Sequence, residues 1–143
     1  MTESFPMDAP SSLSRVLLCD DEVHIVKAAA IKFLKAGYEV LTAENGQAAW
    51  EMIQRQIPDA VIVDYQMPFM NGLQLCKLLR EYPPTADIPV FLLTAMGFEP
   101  EVQNAHRDLK INQVILKPFS PRELLQAVER GIAERQAGVS RRG

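Results

Sequence analysis

The stretch Ala60–Gly72, AVIVDYQMPFMNG, decides the fold. Its first four residues are an apolar run too short for a helix and unbroken enough to be buried on both faces, as in a central strand of a parallel sheet. Asp64 closes the run with a carboxylate, and Asn71 is placed to cap a following helix. Working outward, Arg15–Cys19 (RVLLC) and Pro89–Leu93 (PVFLL) repeat the apolar pattern. Glu39–Thr42 (EVLT) and Gln113–Leu116 (QVIL) are weaker strands that complete a set of five.

Helical spacing fills the intervals, over Glu22–Ala36, Gly46–Gln56, Leu73–Leu79, Pro100–Leu109 and Pro121–Ile132. Gly37 stops the first helix, Asn45 and Asn71 serve as N-caps, and Pro58 ends the second segment. Ser120, Pro121 and Glu123 form a capping box with proline at the first helical position. Strand and helix alternate throughout, which argues for an α/β domain with a parallel sheet covered on both faces and right-handed crossovers. The expected organisation is a flexible lead-in over residues 1–14, one domain over 15–136, and a tail or linker start over 137–143, where the helical pattern is lost from Gln136 onward.

The chain has 143 residues, enough for one ordinary domain, and its 48% apolar and 23% charged composition is that of a globular protein. Lys and Arg number 15 against 18 Asp and Glu, a net charge of -3, so no basic field draws in nucleic acid as a direct partner. No apolar run approaches the roughly 20 residues needed to span a bilayer. MTESFPMDAPSS lacks a signal peptide's basic start and apolar stretch, so no membrane role and a cytoplasmic location are expected. Cys19 and Cys76 are expected in the core, and His24 and His106 match no zinc spacing.

In an open parallel sheet ligands bind beyond the carboxyl ends of the strands. Here the first strand ends in Asp20, Asp21 and Glu22, the third in Asp64, the fourth in Thr94, and the fifth in Lys117 followed by Pro118. Singly, each residue reads as a turn former or a surface group; together they place three Asp carboxylates, a hydroxyl and an ammonium in one crevice. Crowded carboxylates require a counter-charge. A hard cation with oxygen ligands supplies it, and Mg²⁺ fits because it keeps several waters and is held by one or two carboxylates plus a phosphate oxygen. An ionised Asp64 then serves as nucleophile toward a phosphoryl group, whose spreading negative charge Lys117 and Thr94 are suited to meet. Ala95, with its small side chain, leaves the acceptor accessible.

With LLCDDE, AVIVDYQMPFMNG, FLLTA and ILKPF in order, residues 15 to about 136 resemble the receiver domain of two-component response regulators. The resemblance implies a flavodoxin-like three-layer α/β sandwich, its five-stranded parallel sheet in the order 2-1-3-4-5 and flanked by five helices. It implies phosphorylation of Asp64 by a sensor histidine kinase, a phosphotransfer protein or a small phosphodonor, and a downstream effector domain or protein. It further implies magnesium (Mg2+) bound by Asp21, Asp64 and the backbone carbonyl of Gln66, with Asp20 acting through water. Thr94 and Lys117 are implied to contact the phosphoryl oxygens, and the Lys117–Pro118 peptide to be cis.

The chain departs from that pattern in ways that matter. Val114 stands where most members carry an aromatic switch, and a β-branched side chain cannot swing between buried and exposed pockets as a ring does. This puts in question the coupling that would run from Thr94 and Ala95 through Val114. The family's Gly-Ala before the last strand is replaced by Lys110, Ile111 and Asn112. Gln66 and Met96 flank the site, and apolar Met96 is expected to hinder a hydrolytic water and lengthen the phosphoryl lifetime.

Three rivals remain. A haloacid-dehalogenase-like phosphatase uses similar groups, but that family puts its nucleophile on the first strand with a second Asp two residues on, where Gln66 stands here. An FMN-binding flavodoxin needs a hydroxyl- and glycine-rich loop after the first strand, where this chain has DDEVHI. The third is a receiver-like interaction module not regulated by phosphorylation, which Val114 favours and the full acid set opposes. No helix-turn-helix or catalytic domain is read after residue 136, so the domain is expected either to act alone through partners or to come from a longer protein.

Overall fold

The structure, a computed structural model, describes residues 13–142, with side-chain surroundings through residue 138. The lead-in expected over residues 1–14 lies outside the described residues except for Leu13 and Ser14. Five parallel strands, β1 (Arg15–Cys19), β2 (Glu39–Ala43), β3 (Ala60–Asp64), β4 (Val90–Thr94) and β5 (Gln113–Leu116), form one sheet in the order β2-β1-β3-β4-β5. Five α-helices connect and follow them: α1 (Val23–Lys35), α2 (Gly46–Arg55), α3 (Gly72–Glu81), α4 (Pro100–Asp108) and α5 (Pro121–Arg142). A short 3-10 helix, Pro83–Thr85, sits between α3 and β4.

The unbroken apolar runs are explained by burial on both faces. Leu17, Cys19, Val61, Val63 and Leu92 face one core with Ile53, Leu75, Leu79 and Val102, whereas Val16, Leu18, Ile62, Phe91 and Leu93 face the other with Phe33, Leu124 and Val128. Alternation along each strand feeds α2, α3 and α4 on one side and α1 and α5 on the other. Cys19 and Cys76 are both buried, and burial pushes each thiol up to about 12, so they act as small hydrophobes.

Side-chain caps fix where α2, α3 and α5 start, and through them where the loops before these helices end. Asn45 accepts from the Ala48 N–H at 2.8 Å, and Asn71 with Gln74 forms a capping box. Ser120 accepts from Glu123 N–H while Glu123 accepts from Ser120 N–H. Gly37 ends α1 at φ 94°, where glycine meets no Cβ penalty.

Two differences from the sequence expectation have physical causes. The helix expected over Pro121–Ile132 continues to Arg142, which corrects the loss of helix read from Gln136. Residues 133–137 are all exposed, so no apolar period marks them, but Ala, Glu, Arg and Gln propagate a helix without needing to bury a face. The Lys110–Asn112 departure is absorbed by the backbone. Lys110 adopts φ 53°, and the Leu109 and Lys110 carbonyls accept from Arg80 at 2.8 and 3.0 Å. Arg80 also donates to the carbonyls of Thr85, Ala86 and Ile88, and Asn112 Oδ1 accepts from Val90 N–H at the start of β4.

Candidate functional site

The parallel register brings every strand end expected at the site to one edge of the sheet. Asp64 pairs with Leu93, Thr94 pairs with Leu116, and the Lys117 N–H donates to the Thr94 carbonyl at 2.9 Å. Asp20 N–H continues the β1 ladder to Ala43 O at 3.1 Å. Asp21, Glu22, Asp64, Gln66, Thr94, Ala95 and Lys117 therefore line a single cleft.

Within it, one oxygen each from Asp20, Asp21 and Asp64 lies within 4.8 Å of the others. The Lys117 ammonium is 2.8 Å from Asp64 Oδ1, 3.0 Å from Asp20 Oδ2 and 2.5 Å from Glu22 Oε1. Three carboxylates thus share one ammonium, with Asp21 close by. Asp20 Oδ1 is occupied, accepting from Glu22 N–H at 2.9 Å, but buried Asp20 Oδ2 has no hydrogen-bond partner. Lys117 stands within ion-pair distance of that oxygen without hydrogen-bond geometry.

The electrostatics follow from this crowding. Burial raises the Asp64 carboxyl to about 6; the hydrogen bond from Lys117 opposes that rise and the Asp20 charge adds to it. Asp20 is also raised, chiefly by burial. Burial works to lower the Lys117 ammonium, yet its close contacts with the Asp64, Glu22 and Asp20 carboxylates outweigh it and hold the group above its ordinary range. An orphaned buried carboxylate oxygen and three converging acids form an oxygen-only donor set with surplus negative charge, which fits a hard divalent cation.

The remaining expected residues fall around this centre. Thr94 is buried, and its hydroxyl oxygen accepts from Met96 N–H at 3.0 Å. Gln66 and Ala95 are exposed where they line the cleft, and Met96, two residues beyond Thr94, is also exposed. The Lys117–Pro118 peptide is cis. Val114 is half-buried on β5, separated from the Asp64 strand by β4, and packs against the core of the α2–α4 side. His24 is exposed and borders an apolar hollow with Ile25, Pro118 and Phe119 that shares Lys117 with the cleft. His106 lies on α4, away from these residues in the chain.

Three residues have roles at the site that the sequence pattern did not assign. Glu22 pairs with Lys117 across 95 positions. Gly72 lets α3 start against the end of β3: a Cβ there would sit 2.4 Å from Asp64 O, and the Gly72 N–H donates to Tyr65 O at 2.9 Å. The Asn-Gly pair at 71–72 was the available signal for that contact. Buried Tyr65 donates its hydroxyl to Glu101 Oε1 on α4 at 2.9 Å, and burial together with that carboxylate pushes the phenol up to about 12.

Comparison with known proteins points the same way. A family model described as the response regulator receiver domain matches residues 16–129. The phosphate regulon transcriptional regulatory protein PhoB of Pseudomonas aeruginosa is 39% identical over 112 residues, covering 77% of this chain and 48% of that protein. The chain thus spans about half the length of the curated relatives it matches. The chemotaxis response regulator CheY4 of Vibrio cholerae is similar in structure, with a TM-score of 0.77 at 30% identity over 83% of this chain and 98% of that one. The receiver domain of the sensor histidine kinase PA1611 of Pseudomonas aeruginosa, which has a magnesium ion in its active site cleft, shares the fold at a TM-score of 0.76 and 24% identity, covering 85% of this chain and 99% of that one.

Proposed function

The chain belongs to the response regulator receiver domain family, a signalling module rather than a classical enzyme, and from that membership we propose that Asp64 is its phosphoryl acceptor. The observation that carries the reading is the convergence of Asp20, Asp21 and Asp64 oxygens within 4.8 Å, with Lys117 2.8 Å from Asp64 Oδ1. An Asp64 oxygen attacks phosphorus as the bond to the donor breaks, and the departing group, an imidazole nitrogen or an acyl oxygen, keeps the electron pair. The donor is the phosphohistidine of a sensor kinase or phosphotransfer protein, or a small acyl phosphate.

Asp20 and Asp21, together with Asp64 and the Gln66 carbonyl, would hold Mg²⁺, which lowers the repulsion between an anionic donor and the acid cluster. Lys117 moves from Asp64 Oδ1 to a phosphoryl oxygen, and the Thr94 hydroxyl donates to another. Pro118 and Ala95 shape the loops that carry these two donors. Residues 15–136 make up the receiver unit, acting in the cytoplasm on an effector domain or protein. Among the described residues, no helix is long and apolar enough to cross a membrane.

Incubation with Mg²⁺ and acetyl phosphate, read by intact mass, should add one phosphoryl group, and Asp64→Asn should abolish it. An adduct that persists in Asp64→Asn, or none in the native chain, overturns the assignment. The second reading, a receiver that signals without phosphorylation, rests on Val114 and predicts no adduct.

A further inference from the structure

Val114 leaves β5 without a ring to swing, so the state of Asp64 needs another route to the surface. The β4–α4 loop lies against β5 at Val114 and Leu116. A Cβ added to Gly97 would stand 2.5 Å from Leu116 Cδ2 and 3.7 Å from Val114 Cγ1, so the loop backbone itself covers that part of β5. Gln103, on α4, clasps the loop by donating from Nε2 to the Gly97 carbonyl.

Loop and helix together are held lightly. α4 buries only Val102 and Ala105, while Met96 is 51% and Phe98 87% exposed. Elements with so few buried contacts open at low free energy. On the other side of the contact, Tyr65 is rigidly placed: its N–H donates to Leu93 O at 2.8 Å, its carbonyl accepts from Gly72 N–H at 2.9 Å, and its ring is buried. Tyr65 directly follows Asp64, and its hydroxyl reaches Glu101 in the first turn of α4.

We propose that the Tyr65–Glu101 hydrogen bond is a latch that holds the first turn of α4 in the unphosphorylated state and opens when Asp64 is modified. The inference rests on the reading of Asp64 as phosphoryl acceptor. The Thr94 hydroxyl oxygen accepts from Met96 N–H and leaves its own proton free to donate, so moving that hydroxyl toward a phosphoryl oxygen keeps the Met96 bond and draws the loop with it. The loop runs into Pro100 and Glu101 within a few residues, so its displacement is carried to the latch. A ligand shifts such an equilibrium only by binding one arrangement better, and the new Thr94–phosphoryl bond is that difference.

Amide hydrogen exchange over residues 97–106 tests this in the full chain, with and without Mg²⁺ and beryllofluoride. Fluorine NMR reports separately whether beryllofluoride is bound. In the native chain, bound beryllofluoride should speed exchange across this segment. Tyr65→Phe, without beryllofluoride, should already exchange about five- to tenfold faster, the factor expected from one lost net hydrogen bond, and beryllofluoride should add little more. Glu101→Ala should match it, and Glu101→Gln, which retains an accepting oxygen, should restore the native pattern. The latch is overturned if Tyr65→Phe exchanges like the native chain, or if it keeps the full response to bound beryllofluoride. Failure of beryllofluoride to bind the native chain overturns the acceptor reading, and the switch with it. In that case Tyr65→Phe still reports whether the bond restrains α4.

Discussion

Replacing Asp64 with Asn removes a charge that the fold holds at a cost. The Asp64 carboxyl lies at about 6 against an ordinary 3.8, a net shift that already includes the favourable contact with Lys117. Each pH unit is worth about 1.4 kcal/mol, so ionised Asp64 destabilises the metal-free fold by up to about 3 kcal/mol. Asn keeps the shape and an oxygen for Lys117, which retains Asp20 and Glu22 as partners. The variant should therefore be more stable by roughly 1–3 kcal/mol at neutral pH in EDTA, or about 3 °C in Tm per kcal/mol.

The sign of the pH dependence is fixed by proton binding. Between about 4 and 6 the folded chain binds the Asp64 proton more strongly than the unfolded chain does, so this group lowers stability as pH rises through that window. The variant's advantage should be absent near pH 4 and complete above about 6. Saturating Mg²⁺ should stabilise the native chain more than the variant and close the gap, because a ligand that binds only the folded state adds its binding free energy. Urea unfolding followed by Trp50 fluorescence measures all of this; Trp50 is half-buried and edge-on to Tyr82. A variant equally or less stable in EDTA at neutral pH, or an advantage that does not grow with pH, refutes the reasoning.

Lys117→Met should leave Mg²⁺ binding measurable but slow phosphorylation from acetyl phosphate by about 10²-fold or more, as loss of one charge-stabilising donor does; an initial-rate assay checks it. Gly72→Ala drives a Cβ to 2.4 Å from Asp64 O, so denaturant titration should show about 1–3 kcal/mol of destabilisation together with weaker Mg²⁺ binding. Arg80→Met abandons five carbonyl acceptors at the opposite end of the sheet and should cost about 2–4 kcal/mol, with Mg²⁺ affinity unchanged. Met96→Glu puts a carboxylate two residues beyond Thr94 that can hold a hydrolytic water and should shorten the phosphoryl lifetime; an unchanged or longer lifetime removes Met96 as a determinant.

The sequence by itself determined the sheet and the gathering of the site, because both depend on local pattern. Apolar runs of four or five residues in 60–64 and 90–94 can be satisfied only by burial on two faces. Once the strands are parallel, whatever polar residue follows each run arrives at the same edge, so Asp20, Asp64, Thr94 and Lys117 meet without further instruction. The caps at Asn45, Asn71 and Ser120 were legible for the same reason, as donor and acceptor lie within one turn.

Tertiary structure alone decided how those groups are shared. Lys117 divides itself among Asp64, Asp20 and Glu22, Arg80 stitches α3 to the approach of β5, and Tyr65 reaches Glu101 across 36 positions. Such pairings depend on how helices seat against the sheet, which sets distances to a few tenths of an ångström, whereas sequence periodicity sets only which face a residue occupies. The helical course of α5 beyond Ile132 was hidden for the complementary reason: a segment that buries nothing carries no periodic mark, though its residues propagate a helix once the buried turns before it are in place.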